Sequence, residues 1–451
     1  MVTSLSESRL ETLLPDDKPL FSHAEARAEA ERCLYCVDAP CIKACPTSID
    51  IPTFIRKIAT GNVRGSARTI LEQNILGYSC ARVCPVEVLC VGDCVYQEWH
   101  GPPIAIGRLQ RYATETSRDR AASLLGKKKL APELVKRVAL IGGGPASLSC
   151  AAELALEGHA PVILEKRGVA GGLNTTGIAP YKMHASDAVK EAEWVQSLGV
   201  EVRTGIEVGV HVRGKDLLAD YDAVFVGVGL GADSRLGVPG EDGAGVFGAT
   251  DWIEWMKLEL QTSKPALGHV VVVGGGNTAV DMARECARLG AFSVTMIYRR
   301  GVEAMSAYRH ELAAARKEGV RVIDNTVPVS FVRDAAGKLV GLVVADAQAG
   351  RPLAGTEREV RGDIVGLAIG QGKLQTIVRE LVGVEVDSRG CVAVDRATGR
   401  TANPKVYAGG DCVNGGKEVV NAVAEGRDAA RAMVAAWSAS PLHQKSEASR
   451  G

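Results

Sequence analysis

The sequence predicts an α/β chain in which two parallel-sheet domains follow a small helical one. Three observations carry this. Residues 137–165 and 269–300 each read as a short apolar strand, a glycine-rich turn, an apolar helix and a second strand. Eight cysteines (33, 36, 41, 45, 80, 84, 90 and 94) are crowded into a stretch with helical periodicity. Near the C-terminus, Ala408-Gly409-Gly410-Asp411 follows a short strand and opens another apolar helix, as a further turn of a parallel sheet would.

In chain order, residues 1 to about 22 lack periodicity and are expected to form an arm. From His23 the pattern turns helical, and then comes Cys33-x2-Cys36-x4-Cys41-x3-Cys45-Pro46. Pro52 behind Asp50 marks a helix start with Phe54, Ile55 and Ile58 on one face, and Ala67, Ile70 and Leu71 mark another helix. The second set is Cys80-x3-Cys84-Pro85-x4-Cys90-x3-Cys94. Structural zinc takes paired C-x2-4-C knuckles, whereas runs of cysteines closed by Cys-Pro resemble the ligation of [4Fe–4S] cubes. Two such clusters are expected rather than zinc or inert core thiols.

In the first sheet domain, Gly142 and Gly144 with Ser147 take G-x-G-x-x-G spacing, and Gly143, Pro145 and Ala146 fill the turn. Gly142 permits the tight turn, Gly144 lets the backbone approach a pyrophosphate, and Glu165 ends the second strand where it can hold the two ribose hydroxyls. This is a Rossmann-type dinucleotide unit. Gly171-Gly172-Leu173, Gly177-Ile178-Ala179-Pro180 and the 408–411 run look like the flavin-contacting segments of flavoproteins with two dinucleotide domains, so the first site is expected to hold FAD. In the second unit, Gly274, Gly276 and Ala279 occupy the fingerprint, and the next strand ends at Tyr298-Arg299-Arg300. An NAD site would carry an acid there. Arginine can pair with a 2′-phosphate, unless the two are solvated at a strand end. The expected domains are 1–130 (helical, iron–sulfur), 131–249 with 369–437 (FAD), 250–368 (NAD(P)) and a disordered tail, 438–451.

Lys+Arg and Asp+Glu are equal at 53 each, so bulk charge favours neither nucleic acid nor an anionic membrane. No apolar run approaches the ~20 residues of a spanning helix. The first twenty residues are too polar for a signal peptide, so a cytoplasmic location is expected, where twelve cysteines argue for thiolates and metal over disulfides.

Two nucleotide sites and two clusters suit a relay: nicotinamide gives electrons in pairs as hydride, clusters take them singly, and a flavin can do both. Position supplies the chemistry, and no catalytic side chain is assigned. The runs CLYCVDAPCIKACPTSIDIPTFI, ILGYSCARVCPVEVLCVGDC, GPPIAIGRLQRYATE and GGGPASLSC resemble the N-terminal half of dihydropyrimidine dehydrogenase, most of all its separate bacterial subunit, over about 25–436. The glutamate synthase small subunit is a more distant resemblance, and a non-enzymatic redox scaffold stands as a third class.

The dihydropyrimidine dehydrogenase resemblance implies that Cys33, Cys36, Cys41 and Cys94 hold one cluster. Cys45, Cys84, Cys90 and the side-chain oxygen of Gln110 would hold the other, leaving Cys80 spare although counting alone prefers eight thiolates. It implies FAD contacts at Val83, Gly142, Gly143, Gly144, Pro145, Ala146, Glu165, Leu173, Lys182, Val208, Gly410 and Val419. The nicotinamide nucleotide would meet Gly275, Gly276, Asn277, Thr278, Ala279, Arg299, Arg300, Ala368, Ile369, Gly370 and residues from Asp411 to Lys417. Lys182 and Ser306 stand where the animal enzyme has arginines. The second loss weakens the NADPH case and leaves the choice of nucleotide open with a lean to NADH. The family reduces uracil and thymine on an FMN-bearing barrel with its own clusters, for which this chain has no room, so an FMN/iron–sulfur partner subunit in pyrimidine metabolism is implied.

Overall fold

The computed structural model describes residues 14–118, 123–258 and 267–439. They divide into two compact units, one of residues 18–118, 123–175, 186–230 and 373–439, the other of residues 14–17, 176–185, 231–258 and 267–372.

The larger unit begins with the helices His23–Glu31, Ile51–Ala59, Val63–Leu71, Gly77–Val83 and Ile106–Thr116. Ser22 and Glu25 form a reciprocal capping box at the first. Asp50 accepts from Thr53 N at 3.1 Å at the second, with Pro52 in its opening turn. Phe54, Ile55 and Ile58 are buried, as their spacing predicts. Behind the helices lies a parallel sheet in the order Val406–Ala408, Ala223–Val226, Arg137–Ile141, Ala160–Glu165, Glu201–Thr204. Ile141 is in register with Leu164 on one side and Val226 on the other. Both neighbours are covered by helices, which suits a continuous apolar run such as Val138–Ile141 over an alternating one.

One apolar core runs from the cysteine-bearing helices into the sheet domain, joining Ile51, Ile55 and Leu109 to Ala146, Leu148 and Val423. The helix Val419–Ser438 makes the join. Its Gly426 lies so close to Pro145–Leu156 that an added Cβ would stand 2.0 Å from Ala146 O. Arg427, buried, donates through Nη1 to Thr47 O at 2.7 Å and Gln73 O at 2.9 Å.

The second unit has its own parallel sheet in the order Val246–Gly248, Ile364–Leu367, His269–Val273, Ser293–Ile297, Arg321–Ile323. An antiparallel group of Thr326–Arg333, Leu339–Gln348, Arg351–Pro352 and Arg358–Arg361 is inserted before its last strand in sequence.

Three boundaries differ from expectation. Val246–Gly248 pairs with Ile364–Leu367, and residues 176–185, 231–249 and 369–372 go with the nucleotide unit rather than the flavin domain. The strand is three residues long and carries no motif. Residues 14–22 are no free arm: Leu14 is fully buried in the second unit's core and Phe21 is buried in the first unit's core. The last helix continues to Ser438, one residue into the expected tail. Residues 1–13 of the expected arm and 440–451 of the expected tail lie outside the described residues.

Gly426→Ala is expected to destabilise the larger unit by about 1–3 kcal/mol through overpacking. Thermal unfolding of the purified variant measures this, and an unchanged melting temperature would count against the close helix contact.

Candidate functional site

The cysteine-bearing helices leave two cavities. Cys33, Cys36, Cys41 and Cys94 line the first, walled by Ile51, Ile55, Ile104 and Ile106. Cys45, Cys84, Cys90 and Gln110 line the second, together with Cys80 and Val420. The two sets are the ones the resemblance implies, with Cys94 crossing from the second sequence run to the first cavity and Cys45 crossing the other way. The thiols surround open space instead of meeting at a point; among the described residues no three His, Cys, Asp or Glu converge on a single-ion site. That is the arrangement a cube needs, since its ligands approach from several directions.

Electrostatics in the cavities favour a cationic occupant. Burial, then the neighbouring Cys33, Cys94 and Cys36, pushes the Cys41 thiol up to about 12. Burial followed by Cys84, Cys45 and Cys41 raises Cys90 well above the usual thiol range, and Cys84 is raised first by its hydrogen bond with Cys80 and then by burial. Thiolates here need positive charge, which iron supplies as it displaces the protons. Gln110 is buried, and its Nε2 donates to Gly77 O at 2.7 Å, fixing the amide at the cavity wall. Cys80 lines the same wall, so the geometry keeps both as candidates for the fourth ligand.

The first dinucleotide turn is built for close backbone approach. Gly142 has φ +90°, and a Cβ there would stand 2.7 Å from Gly227 O. Gly144 caps the helix Pro145–Leu156 with no side chain bonded to its leading N–H groups, leaving donors for a pyrophosphate. Glu165 is buried at the end of its strand, its Oε2 accepting from Gly143 N at 2.6 Å and its Oε1 from Arg167 N at 2.7 Å. Gly410, with φ +79°, donates its N–H to Glu425 Oε2 at 2.7 Å and faces Ala146, while Val419 opens the long C-terminal helix. Leu173 is half-exposed and Val208 buried in the same unit, and Val83 ends the helix that carries Cys80. These residues fit a dinucleotide with a flavin. Lys182 is set differently: it belongs to the nucleotide unit, where its Nζ lies 2.7 Å from both Asp281 Oδ1 and Glu311 Oε1.

The second turn repeats the device. Gly274, φ +150°, would place a Cβ 2.3 Å from Ala368 O, and Gly276 caps Asn277–Arg288, again with no side-chain bond. Thr278 and Ala279 lie in that helix's first turn, and Ile369 and Gly370 follow the strand Ile364–Leu367. Gly275 packs on the Tyr298 ring. Arg299 and Arg300 are exposed, with Arg300 Nε donating to Tyr298 Oη at 3.1 Å. The segment bearing Ser306 is fastened to the turn: Ala307 N donates to Gly275 O at 3.0 Å, and Tyr308 N to Asn277 Oδ1 at 3.0 Å. Position 306 therefore borders the nucleotide turn, its hydroxyl 3.4 Å from where a Cβ on Gly276 would stand. Asp411 and Lys417 are in the larger unit, where Asp411 Oδ1 accepts from Lys417 N at 3.1 Å.

Sequence reasoning missed Val420, Arg427 and Glu191. Val420 had a signal, since it neighbours the expected flavin contact Val419. Arg427 had a weaker one, as a cation on the buried face of an alanine-rich helix.

Residues 136–426 match the model of the family described as pyridine nucleotide-disulphide oxidoreductase, and residues 14–122 match that of dihydropyrimidine dehydrogenase domain II, 4Fe-4S cluster. The chain belongs to the pyridine nucleotide-disulphide oxidoreductase family. It is an NAD(P)H-dependent flavin oxidoreductase with a 4Fe–4S domain. Among curated relatives, the glutamate synthase [NADPH] small chain of Escherichia coli (strain K12) is 34% identical over 436 residues, covering 91% of each chain. The NAD-dependent dihydropyrimidine dehydrogenase subunit PreT of the same organism is also 34% identical, over 423 residues, covering 92% of this chain and 95% of that one. Thioredoxin reductase of T. acidophilum shares the fold, with TM-score 0.55 at 23% identity over 67% of this chain and 99% of its own. No helix among the described residues is long and apolar enough to cross a membrane.

Proposed function

We propose that the chain is the electron-input subunit of a dihydropyrimidine dehydrogenase: it takes hydride from NAD(P)H onto FAD and sends single electrons through two [4Fe–4S] clusters to an FMN/iron–sulfur partner that reduces uracil or thymine. The observation that carries the relay is Val420. It lines the second cysteine cavity on the helix that opens at Val419, the expected flavin contact, so one helix end serves both cofactors. When bound, the flavin supplies the conversion from paired to single electrons. The protein's part is placement: glycine turns that admit a pyrophosphate, a buried acid at the ribose position, and thiols gathered around two cavities.

The glutamate synthase small chain is the second reading, favoured by equal identity over nearly the same span. Copurification separates the two, an FMN-bearing partner against a large glutamine-dependent chain. Under the first reading, the isolated holo-chain reduces ferricyanide with NAD(P)H but forms no dihydrouracil, and dihydrouracil made without a partner would overturn it.

NADH is the expected donor, because Ser306 leaves the 2′-phosphate position with Arg299 and Arg300 alone. Steady-state kinetics should show NADH used at least comparably to NADPH. Replacing both arginines by alanine should raise KM for NADPH roughly tenfold or more, the worth of a charge-assisted hydrogen bond, and move that for NADH less. A larger effect on NADH would show the strand end misassigned.

For the second cluster, Gln110 is the proposed fourth ligand. Cys80→Ser should keep full iron content with unchanged low-temperature EPR, and Gln110→Cys should alter the spectrum by adding a thiolate. Loss of a cluster in Cys80→Ser, with Gln110→Ala unaffected, reverses the assignment.

A further inference from the structure

A relay from hydride to single electrons has a proton left over. NAD(P)H hands over H−; two oxidised clusters take one electron each and no proton; H− less two electrons is H+. For every nucleotide oxidised, one proton must leave a buried site. Hydride transfer and cluster reduction provide no route for it, and a buried titratable side chain can.

Glu191 is placed for this. It is buried on the helix Ala185–Ser197. Its Oε1 accepts from the backbone N–H groups of Tyr78 (3.2 Å) and Ser79 (3.3 Å), and its Oε2 accepts the Ser79 hydroxyl in a short hydrogen bond. Asn174 Nδ2 donates to Ser79 Oγ at 3.1 Å, which occupies that oxygen and leaves the hydroxyl hydrogen for Glu191. Ser79 adjoins Cys80 of the second cavity, and Asn174 adjoins Leu173 of the expected flavin segment. Ser79, which bonds the carboxyl, and Asn174, which bonds Ser79, are thus chain neighbours of a residue on each side of the relay.

We propose that the Glu191 carboxylate accepts the proton released as electrons pass from the flavin to the clusters, and returns it towards solvent before the next turnover. The step balances: the N–H bond formed on the flavin by the hydride breaks, one O–H bond forms on Glu191, the two electrons are on two clusters, and no other reductant or oxidant is needed. The proposal rests on the relay reading above.

The surrounding charges fit the role. Glu191 has no ion-pair partner among the described residues. Arg118, the cation whose charge acts on it, is paired with another acid of the Glu191 helix, as is Arg82: Arg82 Nη1 lies 3.1 Å from Asp187 Oδ2, and Arg118 Nη2 lies 3.0 Å from Asp187 Oδ1. Tyr78, from the helix Gly77–Val83, stacks under Arg118 with its ring centre 4.0 Å away, and the charge of Glu115 also acts on Tyr78. Burial pushes the Glu191 carboxyl up to about 7, against the hydrogen bonds from Ser79 and Tyr78 that favour its ionised form. A carboxyl poised near neutrality both takes and gives a proton there.

The test is the infrared difference spectrum of the holoenzyme between its oxidised and NADH-reduced states, with the pH dependence of the cofactors' midpoint potentials. Expected is a carboxylic C=O signal that changes with redox state, shifts in D2O and is missing in Glu191→Gln, with an inflection in potential near pH 7 that the variant also lacks. A Glu191→Gln protein carrying full flavin and iron with the wild-type difference spectrum and the same inflection overturns the proposal. Should that variant lose its cofactors, Ser79→Ala decides: removing a donor to the carboxylate raises its pKa, so the inflection moves up, and an unmoved inflection is equally fatal. Visible absorbance of the same samples separates the two levels. Clusters that bleach with NADH but give no Glu191 signal sink the proton role alone, whereas clusters that stay oxidised sink the relay with it.

Discussion

The helix Val419–Ser438 is the constraint on which the cofactor arrangement depends. Four of its residues do unrelated work within two turns. Val420 walls a cysteine cavity, Glu425 accepts from Gly410 N at 2.7 Å, Gly426 admits the fingerprint helix, and Arg427 binds the backbone beside the first cysteine run. Arg427 is the strongest of these ties. A buried guanidinium is costly unless its donors are used, and here they meet Thr47 O, Gln73 O and Asp428. Losing it would take this donor from the Thr47 and Gln73 carbonyls, so the side chain adds to the shared core in tying the loop after Cys45-Pro46 to the C-terminal helix.

The cysteine cavities turn that rigidity into a binding problem. Cys33, Cys41, Cys84 and Cys90 resist ionisation because burial and neighbouring thiols act in the same direction. Without metal the cavities are apolar pockets lined by Ile51, Ile55 and Ile106. With it, the thiolates exchange protons for iron, and the binding free energy becomes part of the folding free energy of the domain. Cluster loss and unfolding of this region are therefore linked, and the shared core carries the consequence to the flavin site.

Sequence made the local devices legible and hid the tertiary ones. The cap of Asp50 with Pro52, the buried face of Phe54, Ile55 and Ile58, and both glycine turns follow from steric and hydrogen-bonding rules that act within a few residues. The sorting of cysteines between two cavities came from resemblance, since Cys45 and Cys94 each cross to the set that the other run dominates. Val246–Gly248 was assigned to the wrong side because a strand of three residues has no period to read, and its place is decided by its partner Ile364–Leu367. Glu191 gave no signal at all: an acid in a helix of mixed charge looks solvated until Tyr78 and Ser79, more than a hundred residues away in sequence, close over it.

The nucleotide unit shows the same dependence on distant partners, here through charge. Residues 14–17 and 176–185 join it from elsewhere in the chain, and ionic contacts fasten both pieces. Asp17 meets Arg284 at 3.0 Å and Arg288 at 2.6 Å, Lys182 bridges Asp281 and Glu311, and Glu318 binds both arginines. Burial opposes ionisation of Glu311 and Glu318, yet Lys182 and Arg284 for the first, and Arg284 and Arg288 for the second, hold each below the usual carboxylate range. A depressed carboxyl stabilises the fold above its unfolded pKa and loses that contribution as pH falls through the folded one. The network is thus at full strength near neutrality, and removing Lys182 would take the ammonium from the buried Asp281, the costly side of a buried ion pair. Hence a lysine at position 182 is tolerated where the related enzyme has arginine: what Asp281 and Glu311 require there is positive charge within reach of both, and an ammonium at 2.7 Å from each supplies it.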